Sequence, residues 1–169
     1  MNTVVFSPNG KWLATASSDA TVRLWQLSTG KCRQILTGHT DWVSSVAYSP
    51  DGEWLATGSG DATIRVWQVS TGRCTRILTA HSISVSSVAF SPNGQRLATS
   101  SGDSTTRLWE MSTGECCAIM QIPRPYEGSD ITNARGLTEA QRASMLVLGA
   151  VDHSLNSSSA CDVGSPDSV

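Results

Sequence analysis

Three stretches of this chain, starting at Phe6, Tyr48 and Phe90, align without a gap at a constant stride of 42 residues. They read FSPNGKWLATASSDATVRLWQLSTGKC, YSPDGEWLATGSGDATIRVWQVSTGRC and FSPNGQRLATSSGDSTTRLWEMSTGEC, with 15 of the 27 columns identical in all three. A tandem repeat of that period constrains the fold more than any local pattern. Each copy has to be one supersecondary unit that buries a face against the next. A single non-repeating core over this region is excluded.

Within the second copy the chain divides into four short strand-like segments. Val43 to Tyr48 is apolar-rich and is stopped by Ser49-Pro50-Asp51-Gly52, whose Pro and Gly supply turn dihedrals. Trp54 to Ser59 is small and β-compatible, and it ends at a tight turn holding Gly60-Asp61. Thr63 to Val69 alternates with a period of two, Ser70-Thr71-Gly72 turns the chain, and Cys74 to Leu78 forms a fourth, outer strand. No stretch before residue 121 has helical periodicity. Four strands in about 40 residues is the length of one propeller blade. The prediction is an all-β chain: a partial β-propeller of three four-stranded antiparallel blades, about 1–36, 43–79 and 85–120, then a C-terminal extension with a short helix over 121–151 and a disordered tail over 152–169.

Gly38-His39, then Asp61, then Trp67, inside a period of 42 residues, resembles the WD-repeat β-propeller family over about residues 1–120. The resemblance implies a hydrogen-bonded tetrad in each blade, made of a His before the inner strand, a hydroxyl on the second strand, an Asp in the next turn and a Trp on the third strand. In this sequence it would comprise His39, Thr57, Asp61 and Trp67 in blade two, and His81, Thr99, Asp103 and Trp109 in blade three. Blade one has Thr15, Asp19 and Trp25 and no His. The sequence departs from the family pattern in two places. The Asp of the Trp-Asp pair is replaced by Gln26, Gln68 and Glu110, outside the tetrad, and Ala80 stands where Gly38 stands in the preceding copy, which is expected to strain that turn.

A His, a hydroxyl and an Asp also make up a nucleophilic triad. A catalytic set is needed once, whereas this one recurs in register with the fold period, and no nucleophile elbow accompanies it. The structural role is therefore expected, and no enzymatic activity. Cys32, Cys74 and Cys116 recur in the same way, on successive blades and too far apart for a shared metal or a disulfide; Cys117 and Cys161 have no ligand at zinc-site spacing. No phosphate-cradling glycine loop is present, so no cofactor is expected. Arg23, Arg65 and Arg107 recur four residues after each turn Asp. With nine Lys and Arg against eight Asp and Glu in residues 1–120, they are expected to form a solvated strand face rather than a nucleic-acid stripe.

The whole chain has a net charge of −2, and its longest apolar run, Met145 to Val151, is far short of a bilayer span. No secretory signal is visible, and the odd count of five Cys points to free thiols in a reducing compartment. A cytoplasmic location, away from nucleic acid and membrane, is the expectation. After Met120, Thr138-Glu139-Ala140-Gln141 has the form of a capping box opening a helix from about Glu139 to Leu148. The string RPYEGSDITNARGLTEAQRASMLVLGAV resembles an extension that ends many cyanobacterial proteins with pentapeptide or WD repeats, some carrying a NACHT or NB-ARC switch domain. That resemblance implies a second reading, the sensor end of a nucleotide-driven signalling protein.

Closed propellers have typically 4–8 blades, and this sequence encodes three, so the outer faces of blades one and three are expected to be bare. Such a chain is either part of a larger propeller or closes a six-bladed ring as a homo-oligomer. The expected function is a protein–protein interaction scaffold. Its contact loops lie just after each His and just before each turn Asp: Thr40, Trp42, Gly60, Ser82 and Ser84. Trp42 is the lead candidate, since Trp is enriched among interface hot spots; its competing role is packing between blades.

Overall fold

A computed structural model of the chain describes residues 1–121, 130, 132, 137–147 and 150–152. Residues 1–121 form one compact unit. Its strands are β1 (Thr3–Phe6), β2 (Trp12–Ala16), β3 (Val22–Gln26), β4 (Lys31–Leu36), β5 (Val43–Tyr48), β6 (Trp54–Ser59), β7 (Thr63–Gln68), β8 (Cys74–Thr79), β9 (Val85–Phe90), β10 (Arg96–Ser101), β11 (Thr105–Glu110) and β12 (Cys116–Gln121). They make three four-stranded sheets, each an antiparallel meander in chain order. The third strand of blade two stops at Gln68 rather than Val69. The Gln68 N–H is taken by Arg73 O at 2.9 Å, while the Val69 N–H turns back to Glu53 O at 2.9 Å.

The register repeats as faithfully as the sequence does. Thr15 stands opposite Val4 and Arg23, Thr57 opposite Val46 and Arg65, and Thr99 opposite Val88 and Arg107. In each sheet the pairing between third and fourth strands shifts just before the Trp, at Leu24/Trp25, Val66/Trp67 and Leu108/Trp109. A bulge at that point bends the strand and re-aims its side chains.

Alternation along the strands gives every blade two faces. The leading face carries the tetrad Thr and Trp; the trailing face is its reverse. Ala14, Ala16, Val22, Leu24 and Leu36, on the trailing face of blade one, share a buried cluster with Val46, Tyr48, Leu55 and Trp67, on the leading face of blade two. Ala56, Ile64 and Leu78 meet Val88, Leu97 and Trp109 in the same way between blades two and three. Each large side chain so buried contributes about 1.5–3 kcal/mol. At Gly58 an added Cβ would lie 2.6 Å from Val85 Cγ1, so the small residue lets blade three's inner strand approach.

Three turn residues, Ala20, Ala62 and Ser104, are left-handed without being glycine, with φ of 63°, 64° and 65°. The strain expected at Ala80 is absent. Gly38 has φ +145° with its Cβ position 2.8 Å from Arg65 Nη1, but Ala80 takes a different backbone angle outside the left-handed region.

The second unit contains α1 (Glu139–Val147). The capping box closes it: Gln141 N donates to Thr138 Oγ1 at 3.2 Å, and Thr138 N to Gln141 Oε1 at 2.9 Å. Arg142 pairs with Asp152, and Asp130 forms a parallel bridge with Val151. The expected last helical residue, Leu148, and the expected disordered tail beyond Asp152 lie outside the described residues.

Candidate functional site

Two of the three blades hold a complete polar network at one end of the sheet. His39 comes from the connection before β5, Thr57 from β6, Asp61 from the β6–β7 turn and Trp67 from β7. Trp67 Nε1–H donates to Thr57 Oγ1 at 2.9 Å, Thr57 Oγ1 lies 2.8 Å from His39 Nε2, and His39 Nδ1 lies 2.9 Å from Asp61 Oδ2. Asp61 is best served by an imidazole that donates from Nδ1. Nε2 then accepts the Thr57 hydroxyl proton, so every donor in the row points from Trp towards Asp. Blade three repeats the arrangement, with Trp109–Thr99, Thr99–His81 and His81–Asp103 all at 2.9 Å.

Electrostatics agree with that assignment. Burial is the main influence on His39 and lowers its pKa; the bond to Asp61 acts the other way and does not overcome it. Burial alone would raise the pKa of Asp61. Hydrogen bonds from Thr63, His39 and the backbone N–H groups of Thr40 and Thr63 reverse that and hold it well below the usual carboxylate range. Asp103 is lowered by the equivalent donors, Thr105, His81 and the backbone of Thr105 and Ser82, against burial. A neutral imidazole on an ionised carboxylate is thus the resting state of blade two.

Blade one has only part of the network. Trp25 Nε1 donates to Thr15 Oγ1 at 3.0 Å, but Asp19 is half-exposed and pairs with Arg23 Nη2 at 2.8 Å. Its carboxyl is lowered to about 2, first by the Thr21 hydroxyl bond.

The loops above these networks form a rim. The Thr40 N–H donates to Asp61 Oδ2 at 3.0 Å, and the Ser82 N–H to Asp103 Oδ2 at 3.3 Å, so the tetrad carboxylates hold the loop backbone while both side chains stay exposed. Gly60 N donates to Trp42 O at 2.8 Å, and Gly102 N to Ser84 O at 3.1 Å. The Trp42 indole lies against Gly60, where a Cβ would come within 2.5 Å of its Nε1. It remains 39% exposed, neither buried between blades nor free of the surface.

The profile described as WD domain, G-beta repeat matches residues 1–26, 30–68 and 72–110, more than half of the chain. The chain belongs to the WD40-repeat family. Among its relatives, nuclear distribution protein PAC1 of Fusarium vanettenii is 47% identical over 38 residues, 22% of this chain and 8% of that protein. Target of rapamycin complex subunit LST8-1 of Arabidopsis thaliana is 50% identical over 38 residues, 22% of this chain and 12% of its own length. An uncharacterized WD repeat-containing protein of Nostoc is 49% identical over 43 residues, 25% of this chain and 3% of its own. The matched stretch is thus a small part of each of these relatives.

As a WD40 chain it holds site residues that sequence reasoning passed over. Ser59 Oγ donates to Asp41 O at 3.0 Å and accepts from Asp61 N at 3.2 Å, tying the rim loop to the turn; Ser101 does the same with Ile83 O and Asp103 N, both at 3.1 Å. Thr63 and Thr105 donate to the tetrad carboxylates at 2.6 Å. Both residue types occupy columns identical in all three copies, which was the available signal. Ile83, 52% exposed in the rim loop of blade three, had none, because Asp41 holds that place in blade two.

The arginines do not form the solvated face expected of them. Arg65 and Arg107 are half-buried, each with a buried Nε lacking a hydrogen-bond partner among the described residues. Cys32, Cys74 and Cys116 are free thiols, each donating to the carbonyl two residues ahead at 3.3–3.5 Å.

Proposed function

We propose that this WD40 chain is a non-enzymatic, cytoplasmic scaffold that binds a protein partner through the tetrad-end rim. The observation that carries this reading is the placing of two large apolar side chains, Trp42 and Ile83, on loops whose backbones are pinned by the Asp61 and Asp103 carboxylates at Thr40 and Ser82 and by the Ser59 and Ser101 hydroxyls at Asp41 and Ile83. Rigid strands presenting fixed loops make a binding surface with little ordering cost. The tetrad itself offers no nucleophile. Thr57 is fully buried and its oxygen is shared between an indole and an imidazole. A protein partner fits better than nucleic acid, since the repeat region has almost no net charge and two of its recurring arginines are half-buried. The Arabidopsis relative is named as a subunit of a complex, a role of the same kind. No observation favours the sensor end of a NACHT or NB-ARC switch.

The test is Trp42→Ala, compared with the unaltered chain against whichever protein cross-links at position 42. Affinity should fall by at least about tenfold, as for a hot-spot Trp, while the circular-dichroism melt stays in place. Unchanged affinity would overturn the reading, and a collapsed melt would assign Trp42 to packing.

A further inference from the structure

Two grooves run between consecutive blades at the end of the sheets away from the tetrads, both lined within residues 1–121. The repeat makes them equivalent. Trp12, Leu24 and Gln34 line the groove between blades one and two, and Trp54, Val66 and Arg76 hold the same places between blades two and three. The first has a volume of about 840 Å³, well inside the range of ligand sites, and the second about 330 Å³.

The sharpest chemical difference lies at one position. Arg76 reaches across its groove, donating from Nη1 to Met111 O and from Nη2 to Ser112 O at 2.9 Å. In the first groove that place belongs to Gln34, which lies against Gly72, where a Cβ would come within 1.8 Å of its Nε2. The Gln34 amide makes no hydrogen bond among the described residues. The carbonyls that correspond to Met111 O and Ser112 O are those of Val69 and Ser70, which line this groove and accept no hydrogen bond among the described residues. Glu53, exposed in the same groove, has no ion pair among them either, and Lys11 and Gln95 hold its place in the other copies. The groove's own cation, Arg33, donates from Nε to Gln26 Oε1 at 2.8 Å and to neither carbonyl.

We propose that the groove between blades one and two receives an arginine side chain of a protein partner. Its guanidinium takes the position that Arg76 fills next door, donating to the Val69 and Ser70 carbonyls through the fork that a planar guanidinium presents, with Glu53 as counter-charge. A repeat that caps one pair of carbonyls with its own arginine and leaves the equivalent pair open specifies the group that is missing. The site lies at the opposite end of the sheets from Trp42, so this inference and the rim reading can each fail alone.

The experiment is a titration of the nitrogen-labelled full chain with a blocked Gly-Arg-Gly peptide, followed by proton–nitrogen NMR. The Trp12 indole N–H and the Val69 and Ser70 amides should shift and saturate, while the Trp42 indole stays in place. A Gly-Lys-Gly peptide should bind at least about fivefold more weakly, since an ammonium has no fork to span two carbonyls. Gln34→Arg supplies the guanidinium from within the chain, so it should abolish the shifts and raise the urea midpoint. Arg76→Gln should open the second groove and add a saturable shift at the Trp54 indole. Each variant's fold is checked by its amide spectrum, and Gln34→Arg carries the test if Arg76→Gln does not fold. No saturable shift at Trp12 would overturn the proposal. So would shifts that survive in folded Gln34→Arg, a folded Arg76→Gln with no response at Trp54, or lysine binding as well as arginine. A Gly-Glu-Gly peptide binding in preference would also overturn it and assign the groove to Arg33.

Discussion

Thr57 is the residue on which blade two's network turns, because one oxygen accepts the indole proton and bonds the imidazole. Thr57→Val keeps the shape and leaves both partners buried without an acceptor or donor. The expected cost is about 2–3 kcal/mol, read as a lower urea midpoint with an unchanged slope. Thr15→Val should cost less, since Thr15 serves Trp25 with no His present in that blade. The tetrad residues were legible through the family resemblance, and their recurrence at the fold's own stride pointed to a structural role rather than a catalytic one. Ile83 and the Trp42–Gly60 contact were not legible, since each belongs to a single copy and depends on how a loop folds over a turn. The strain anticipated at Ala80 failed for a related reason: the identity of a residue does not fix the backbone angle of the loop around it.

At the scale of the sheets, Tyr48 is the misfit of blade two. Phe6 and Phe90 occupy the same position in the other copies. The Tyr48 hydroxyl is buried with no partner among the described residues, and burial pushes its pKa up to about 12. Tyr48→Phe removes the unsatisfied group and keeps the ring, so stability should rise by about 1 kcal/mol. A loss of stability on thermal or urea unfolding would show that the hydroxyl is satisfied by water. The strand order and turns were readable from alternation and from Ser-Pro-Asp-Gly and Ser-Thr-Gly. The strand ends moved by a residue, because hydrogen bonds to other turns decide them, as at Val69. The recurring bulge before each Trp left no mark in composition.

For the molecule as a whole, the network makes stability depend on pH in a stated direction. His39 has a folded pKa below its ordinary 6.5, so the unfolded chain takes up protons first as pH falls. Its contribution is complete above 6.5 and is lost as pH falls through the lower folded value. Asp61 and Asp103, also lowered from 3.8, add a second loss that begins as pH falls towards that ordinary value and continues below it, through the lower folded value. Urea midpoints should therefore decline between about pH 7 and about pH 5, and less so in His39→Gln. The account's central claim is that buried, directional His networks hold the repeated sheets in register. Its most direct test is long-range proton–nitrogen NMR of the two imidazoles. The account predicts Nδ1 protonated and Nε2 unprotonated in both His39 and His81, with slow exchange at Nδ1. An Nε2–H tautomer, or rings exchanging freely with water, would contradict it.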